Sequence, residues 1–228
     1  MIRNLALLGA LTLAACSGGN TASTSNILNA GAELRDTVRA NRASRQQPAV
    51  QPAITRAGIE AATIPALEVT LEARDQTAIL LPSAFRTDDG PGDVAVWQTV
   101  DDIHIVLREG VLIATRGLGR DVTSADVLAA VSTLKSRSSG GGAREMRIRN
   151  DDFGADTLRF SCVIEVVGDT AVEIVERRFP ARHLREKCSN SAGTFVNDYW
   201  VDPARDVIQS RQWAGPHLGF IRTRVLKK

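Results

Sequence analysis

A mainly β domain is predicted: an antiparallel meander of about ten short strands, closed into a barrel or a sandwich, with one or two short helices. Three observations predict it. Apolar residues occupy every second position in several stretches, most plainly Leu67, Val69, Leu71 and again Leu158, Phe160, Cys162, Ile164, Val166, which is the period of a strand with one buried face. Turn-forming residues punctuate these stretches roughly every 8–12 residues. Helical spacing of apolar residues is confined to two short segments. One sequence leaves barrel and sandwich equally open.

At the N-terminus, Arg3, the apolar run Leu5 to Leu13 and the small residues Ala14 and Ala15 form the charged, apolar and cleavage regions of an export signal. The run is far shorter than the ~20 apolar residues of a spanning helix. Leu13-Ala14-Ala15-Cys16 reads as a lipobox and resembles the signal of bacterial lipoproteins, in which residues 1–15 are removed, Cys16 receives a thioether-linked diacylglycerol and its amino group an acyl chain such as palmitate. Each buried methylene contributes about 0.8 kcal/mol, so several chains anchor permanently where one does not. An ordinary secretory signal with an incidental Cys16 is the alternative. Residues 16–26, rich in Ser, Gly, Thr and Asn, have the composition of a tether. Residues 27–65 form a helical and linker segment: Ile27, Gly31, Leu34 and Val38 give an amphipathic helix to about Arg42, and Ser44 to Pro52 a looser connection.

The β domain occupies residues 66–228. Its strands are read at Ala66 to Leu71, Gln76 to Leu81, Asp93 to Thr99, Ile103 to Arg108 and Val111 to Thr115, broken by Asp88-Asp89-Gly90-Pro91-Gly92, Asp101-Asp102 and Glu109-Gly110. A helix is read to open at Thr123 with Asp126 three residues on, a capping-box pattern, and to carry Val127, Leu128, Val131 and Leu134 on one face, with Ser136 to Gly142 ending it. Strands resume at Ala143 to Arg149 and around Leu158 to Val166, which Gly168-Asp169 turns into Thr170 to Arg178. Asp202-Pro203-Ala204-Arg205 suits a type I turn between Thr194 to Val201 and Val207 to Trp213, and a last strand runs from Gly219 to Leu226.

The chain has 228 residues, 43% of them hydrophobic, so about 170 remain after the signal and tether for one domain with a real core. Removing Arg3 leaves 27 Lys and Arg against 26 Asp and Glu, a balance that argues against nucleic acid or a polyanion groove. With Cys16 assigned to lipid, Cys162 and Cys188 remain as an even pair in an oxidising compartment, and a disulfide is the natural reading. Such a bridge contributes about 3.5 kcal/mol by loop closure. Two free thiols are the alternative. No Cys-x-x-Cys is present and no second histidine lies near His183, so neither a metal nor another cofactor is expected.

Half the aromatic residues lie between Phe195 and Phe220. In Phe195-Val196-Asn197-Asp198-Tyr199-Trp200-Val201-Asp202 and Ser210-Arg211-Gln212-Trp213-Ala214-Gly215-Pro216, aromatic rings that stack on sugars alternate with amides and charges that bind hydroxyls. Tyr199, Trp200, Arg211, Gln212 and Trp213, joined by Arg116 from Ala114-Thr115-Arg116-Gly117-Leu118-Gly119-Arg120-Asp121, are the candidate binding residues. The competing reading places these aromatics in the core of adjacent strands. The glycine run is not a dinucleotide fingerprint, because position 122 is Val, and a structural turn is the better reading. Among enzyme motifs, G-x-S-x-G, H-E-x-x-H and the phosphate loop are missing. His104, His183 and His217 are scattered, and Asp198 or Asp202 with a histidine offers only a generic hydrolase or lyase alternative.

The lipobox, the Arg116-Gly117-Leu118-Gly119 run, the Cys162 and Cys188 segments, Asn197-Asp198-Tyr199-Trp200-Val201-Asp202 and Ser210-Arg211-Gln212-Trp213 occur in the order of the YjbF/GfcB lipoproteins, and the chain resembles that family from Leu67 to Leu226. The resemblance implies a non-enzymatic accessory protein of capsule or exopolysaccharide export, predominantly antiparallel β. It implies attachment to the outer membrane on its periplasmic face, consistent with Ser17 after the lipidated cysteine. The implied partners are the membrane itself, an outer-membrane β-barrel of the secretion apparatus and a polysaccharide. Catalytic residues are not implied.

Overall fold

The computed structural model describes residues 54–152 and 154–228. The export signal, Cys16, the tether, the helix read from Ile27 to Arg42 and the connection from Ser44 to Pro52 lie outside the described residues.

Helix α1 (Arg56–Ala61) opens under a Thr55 cap, whose Oγ1 accepts the Gly58 N–H at 3.2 Å. Five strands follow: β1 (Ala66–Leu71), β2 (Gln76–Arg86), β3 (Val94–Gln98), β4 (His104–Arg108) and β5 (Val111–Arg116), with a 3₁₀ turn at Glu72–Arg74. Next come β6 (Val122–Asp126), α2 (Leu128–Ser136), β7 (Gly140–Arg149), β8 (Ala155–Ile174), β9 (Arg177–Asn190), β10 (Gly193–Val201), β11 (Val207–Trp213) and β12 (Phe220–Lys227).

Among the described residues all strand pairings are antiparallel, and the 12-stranded sheet has the order β5-β4-β3-β2-β1-β12-β11-β10-β9-β8-β7-β6. The first and last strands pair at its centre, Val69 facing Thr223. From that seam the two halves of the chain meander in opposite directions, and they bring β5 and β6 back together. The result is a nearly closed barrel rather than a sandwich, an arrangement that leaves little unpaired edge for aggregation.

Alternation sets the interior. In β10 the buried positions are Phe195, Asn197, Tyr199 and Val201, with partly exposed residues between them. The main core joins Leu67, Val69, Leu80, Ile105, Met146, Phe160 and Ile221. Helix α2 lays Ala130, Val131 and Leu134, together with Val127 just before it, against Ile164, Leu184, Tyr199 and Val201. A third cluster joins Ile59 of α1 to Val172 and Ile174 near the β8–β9 turn and to Ile208 and Leu226.

Three readings of the sequence are corrected. The helix does not open at Thr123, because Val122 and Asp126 pair with Ile148 and Glu145 and extend β6 through the supposed cap. Thr123 Oγ1 donates to the Arg147 carbonyl instead, and Asp126 Oδ1 accepts the Leu128 N–H at the true start of α2. Residues Gly140 to Gly142 are not a loop. They begin β7, where side chains would not fit: a Cβ on Gly141 would stand 2.3 Å from the Cys162 carbonyl oxygen and one on Gly142 2.6 Å from Ala129 of α2. Gly168-Asp169 is not a turn either. A bulge between Val166 and Gly168 lets β8 continue for 20 residues, and the reversal occurs at Val175 and Glu176, with φ of 44° and 61°. Two successive positive φ values match the strand twist, but Val and Glu seldom supply them.

The Glu109-Gly110 turn falls where the sequence places it, with φ of 49° and 82°. A Cβ on Gly110 would come within 2.5 Å of the Val207 Cβ. Gly110→Ala is therefore expected to lower unfolding free energy by about 1–3 kcal/mol through backbone strain and overpacking. Urea denaturation measures it; an unchanged midpoint would show that Val207 yields freely.

Candidate functional site

The barrel's alternation sorts the candidate residues onto two faces. Tyr199 and Gln212 point inward and are 0% and 1% exposed. They belong to a buried polar network around Glu186, whose Oε2 accepts from Asn197 Nδ2 at 2.8 Å and from the Tyr199 hydroxyl at 3.0 Å. Arg144 Nη2 pairs with the same oxygen at 3.1 Å, both side chains being almost fully buried. Gln212 Oε1 accepts the Leu112 N–H at 2.8 Å, while its Nε2 donates to the Gly110 carbonyl and to Ser210 Oγ, both at 2.8 Å. Ser210 and Thr223 share a hydroxyl hydrogen bond at 2.7 Å. The network thus ties β5, β7, β9, β10, β11 and β12 together from inside.

Electrostatics hold its protonation states apart. Burial raises the Tyr199 phenol above its ordinary range, and the neighbouring Glu186 charge adds to the effect. For Arg144, burial opposes the charge, but Tyr199 and Glu186 outweigh it and the guanidinium is held more firmly protonated. Polar groups so buried are tolerated because they are mutually hydrogen-bonded; among the described residues Arg144 Nε has no such partner.

Trp200 and Arg211 point outward. The indole stacks on His183 with ring centroids 4.7 Å apart and planes inclined by 6°. His183 Nε2 lies 2.7 Å from Asp198 Oδ1, which also accepts from Arg185 Nε at 3.0 Å. Arg211 faces Arg222 across β11 and β12, and Glu72 between them relieves the like charges at 2.8 and 2.9 Å. Burial works to raise the Glu72 carboxyl, but the two arginines overcome it and hold it below its usual range. The Arg211 guanidinium also lies 3.5 Å from the Phe220 ring centroid.

Trp213 does neither. β10 and β11 pair only as far as Asp198 and Arg211; beyond that point the Trp213 N–H donates to Asn197 Oδ1 at 2.8 Å, and the indole stacks on Phe195 at 4.5 Å and meets Phe160 edge-on. It closes the aromatic end of the core. Arg116 is exposed at the end of β5, paired with His104 in the sheet and away from this group. The Gly117-Leu118-Gly119-Arg120-Asp121 run after it is a turn built on Asp121, whose carboxylate accepts from Thr115 Oγ1 at 2.7 Å and from the N–H groups of Gly117 and Leu118.

Of the two carboxylates offered for hydrolysis, Asp198 meets a histidine and Asp202 does not. Asp202 organises its turn, accepting the Asp206 N–H and the Lys228 ammonium. Cys162 and Cys188 face each other in the β8–β9 register and form a disulfide with an S–S distance of 2.01 Å. Glu186 Oε lies close to both sulfurs, but bonded sulfurs offer no thiolate for a metal.

Sequence reasoning missed Arg144 and Glu186, and placed Asn197 in a hydroxyl-binding run without singling it out. Their trace was present: each sits in the apolar phase of an alternating strand, Arg144 with Met146 and Ile148, Glu186 with Leu184 and Cys188, Asn197 with Phe195 and Tyr199.

Among solved structures, the hypothetical lipoprotein YmcC from Escherichia coli is 18% identical, covers 85% of this chain and 95% of its own, and superimposes with a TM-score of 0.65. It shares the fold. A protein described as having a YmcC-like fold, from Bacteroides fragilis, is 9% identical over 72% of this chain and 93% of its own, with a TM-score of 0.33. No curated protein matches the sequence. The family model described as group 4 capsule polysaccharide lipoprotein gfcB, YjbF spans residues 32–226, from ahead of the barrel into its last strand, and the chain belongs to that family.

Proposed function

We propose that the chain is a lipid-anchored accessory protein of a capsule or exopolysaccharide secretion system, held at the periplasmic face of the outer membrane and acting as a non-enzymatic binding or assembly module. Membership of the capsule lipoprotein family over residues 32–226 carries this reading. The lipobox ending at Cys16 supports it. So does the division of faces: the interior is occupied by core and by a network engaged with itself, so partners meet the outside of the barrel.

The test is fractionation and pull-down. Wild-type chain is expected in outer-membrane fractions and, after detergent solubilisation, to recover a secretion β-barrel or an anionic glycan. Cys16→Ser is expected to lose membrane retention. A freely soluble wild-type chain, or one that recovers neither partner, would overturn the proposal. The Asp198–His183 contact gives a hydrolase or lyase reading a definite test in the same preparation. Shortening of purified polysaccharide by wild type, lost in Asp198→Asn, would replace the accessory reading.

A further inference from the structure

A concavity of about 170 Å³, open to solvent, lies where α1, the start of β9 and the end of β12 meet. Its floor is apolar, with Ile59 and Leu226 each only 7% exposed and Phe179 beside them. Its rim is basic: among the described residues, Arg56, Arg177 and Lys227 line it against a single acid, Glu60. Lys228 also reaches it, but Asp202 and Asp206 each hold its ammonium at 2.6 Å. Arg56 is fixed from behind, donating to the carbonyls of Ile174 and Val175 at the β8–β9 turn, and among the described residues these neutral carbonyls, not a carboxylate, are its hydrogen-bond partners. Arg56 and Arg177 both lie over the Phe179 ring, 5.8 and 5.2 Å from its centroid, so the electron-rich faces of one aromatic side chain of the pocket attract two of its cations.

We propose that this concavity binds a single carboxylated sugar residue of an acidic polysaccharide, with Arg177 and Lys227 on the carboxylate and the apolar face of the ring on Ile59 and Leu226. The choice of a polysaccharide rests on the function proposed above. Guanidinium and ammonium groups recognise a carboxylate by charge-assisted hydrogen bonds, and an apolar floor accepts the C–H face of a pyranose. Size decides how much is bound. Pockets for drug-sized ligands run to roughly 300–1,000 Å³, so this one takes one ring, and its open side lets the rest of a polymer pass. A recess with an apolar floor also suits an inserted ring better than a plane of lipid headgroups, which polybasic segments meet as an array of surface charges.

The test is calorimetric titration of the full-length chain in detergent micelles with a galacturonic acid trisaccharide. Galactose trisaccharide, inorganic phosphate and phosphatidylglycerol vesicles are titrated in parallel. The acidic trisaccharide is expected to bind at least tenfold more tightly than the neutral one. Arg177→Ala with Lys227→Ala is expected to weaken it at least tenfold while leaving the melting temperature in place. Equal binding of the neutral sugar, wild-type affinity in the double variant, or a response to phosphate or phosphatidylglycerol alone would overturn the proposal. Glycan recovery in the pull-down alongside wild-type affinity of the double variant would reject this site and leave the accessory function standing.

Discussion

Glu186→Ala is expected to cost about 3–5 kcal/mol of stability, the penalty for leaving a buried charge without its partner. For a domain of this size that lowers the melting temperature by roughly 6–20 °C. Arg144 is 2% exposed and Glu186 1% exposed, and the carboxylate also accepts from Asn197 and Tyr199. Removing it strands one cation and two donors in a space that water cannot enter freely. Replacing both partners removes the stranded cation but not the two stranded donors: Arg144→Met with Glu186→Leu abolishes the desolvation penalty together with the attraction and should recover part of the loss, the Asn197 and Tyr199 donors keeping the remainder. A double-mutant cycle read by thermal unfolding separates the two effects. If Glu186→Ala melts within a degree or two of wild type, the network contributes nothing to holding its six strands, and the interior ion pair is incidental.

Much of the fold is legible because its signals are local. The twofold alternation of Leu67 to Leu71 and of Leu158 to Ile164, the Glu109-Gly110 turn and the Asp202 to Arg205 turn all depend on residues a few positions apart. The resemblance drawn from ordered motifs also holds, since the family match spans the same region. Barrel closure was not legible, because it depends on β1 finding β12 across the whole domain, and no local pattern encodes a pairing of that range. The bulge at Val166 and the Val175-Glu176 turn were hidden for the opposite reason. Glycine at 168 looks like a turn, whereas the register with β9, and the burial of Val172 and Ile174, override it.

The candidate site was half legible in the same physical sense. Neighbours such as Tyr199 and Trp200 look like one surface when read along the chain, yet a strand sends them to opposite faces. What gathers around each is supplied by other strands: Glu186 and Arg144 inside, His183 and Arg185 outside. The Arg116 run looked distinctive because a turn built on one carboxylate constrains several residues at once, which explains its form without a ligand.

Removing the disulfide by Cys162→Ala with Cys188→Ala is expected to cost about 2–5 kcal/mol, and the loop-closure estimate for a separation of 26 residues is about 3.5 kcal/mol. Most of that acts on the unfolded chain. The two cysteines face each other in strands already paired along β8 and β9, so the bridge adds little order to the folded state, while it forbids expansion of the segment between them once unfolded. The slope of unfolding free energy against urea should therefore increase in the double variant, because a less constrained unfolded chain exposes more surface. A lowered midpoint with an unchanged slope would locate the effect in the folded core instead. That alternative has a specific source: Cys188 is fully buried and Cys162 nearly so, and Glu186 lies beside both sulfurs. Combining the double alanine variant with Glu186→Ala discriminates further. Sites in contact couple, whereas an effect confined to the unfolded chain adds to the ion-pair loss within about 0.5 kcal/mol.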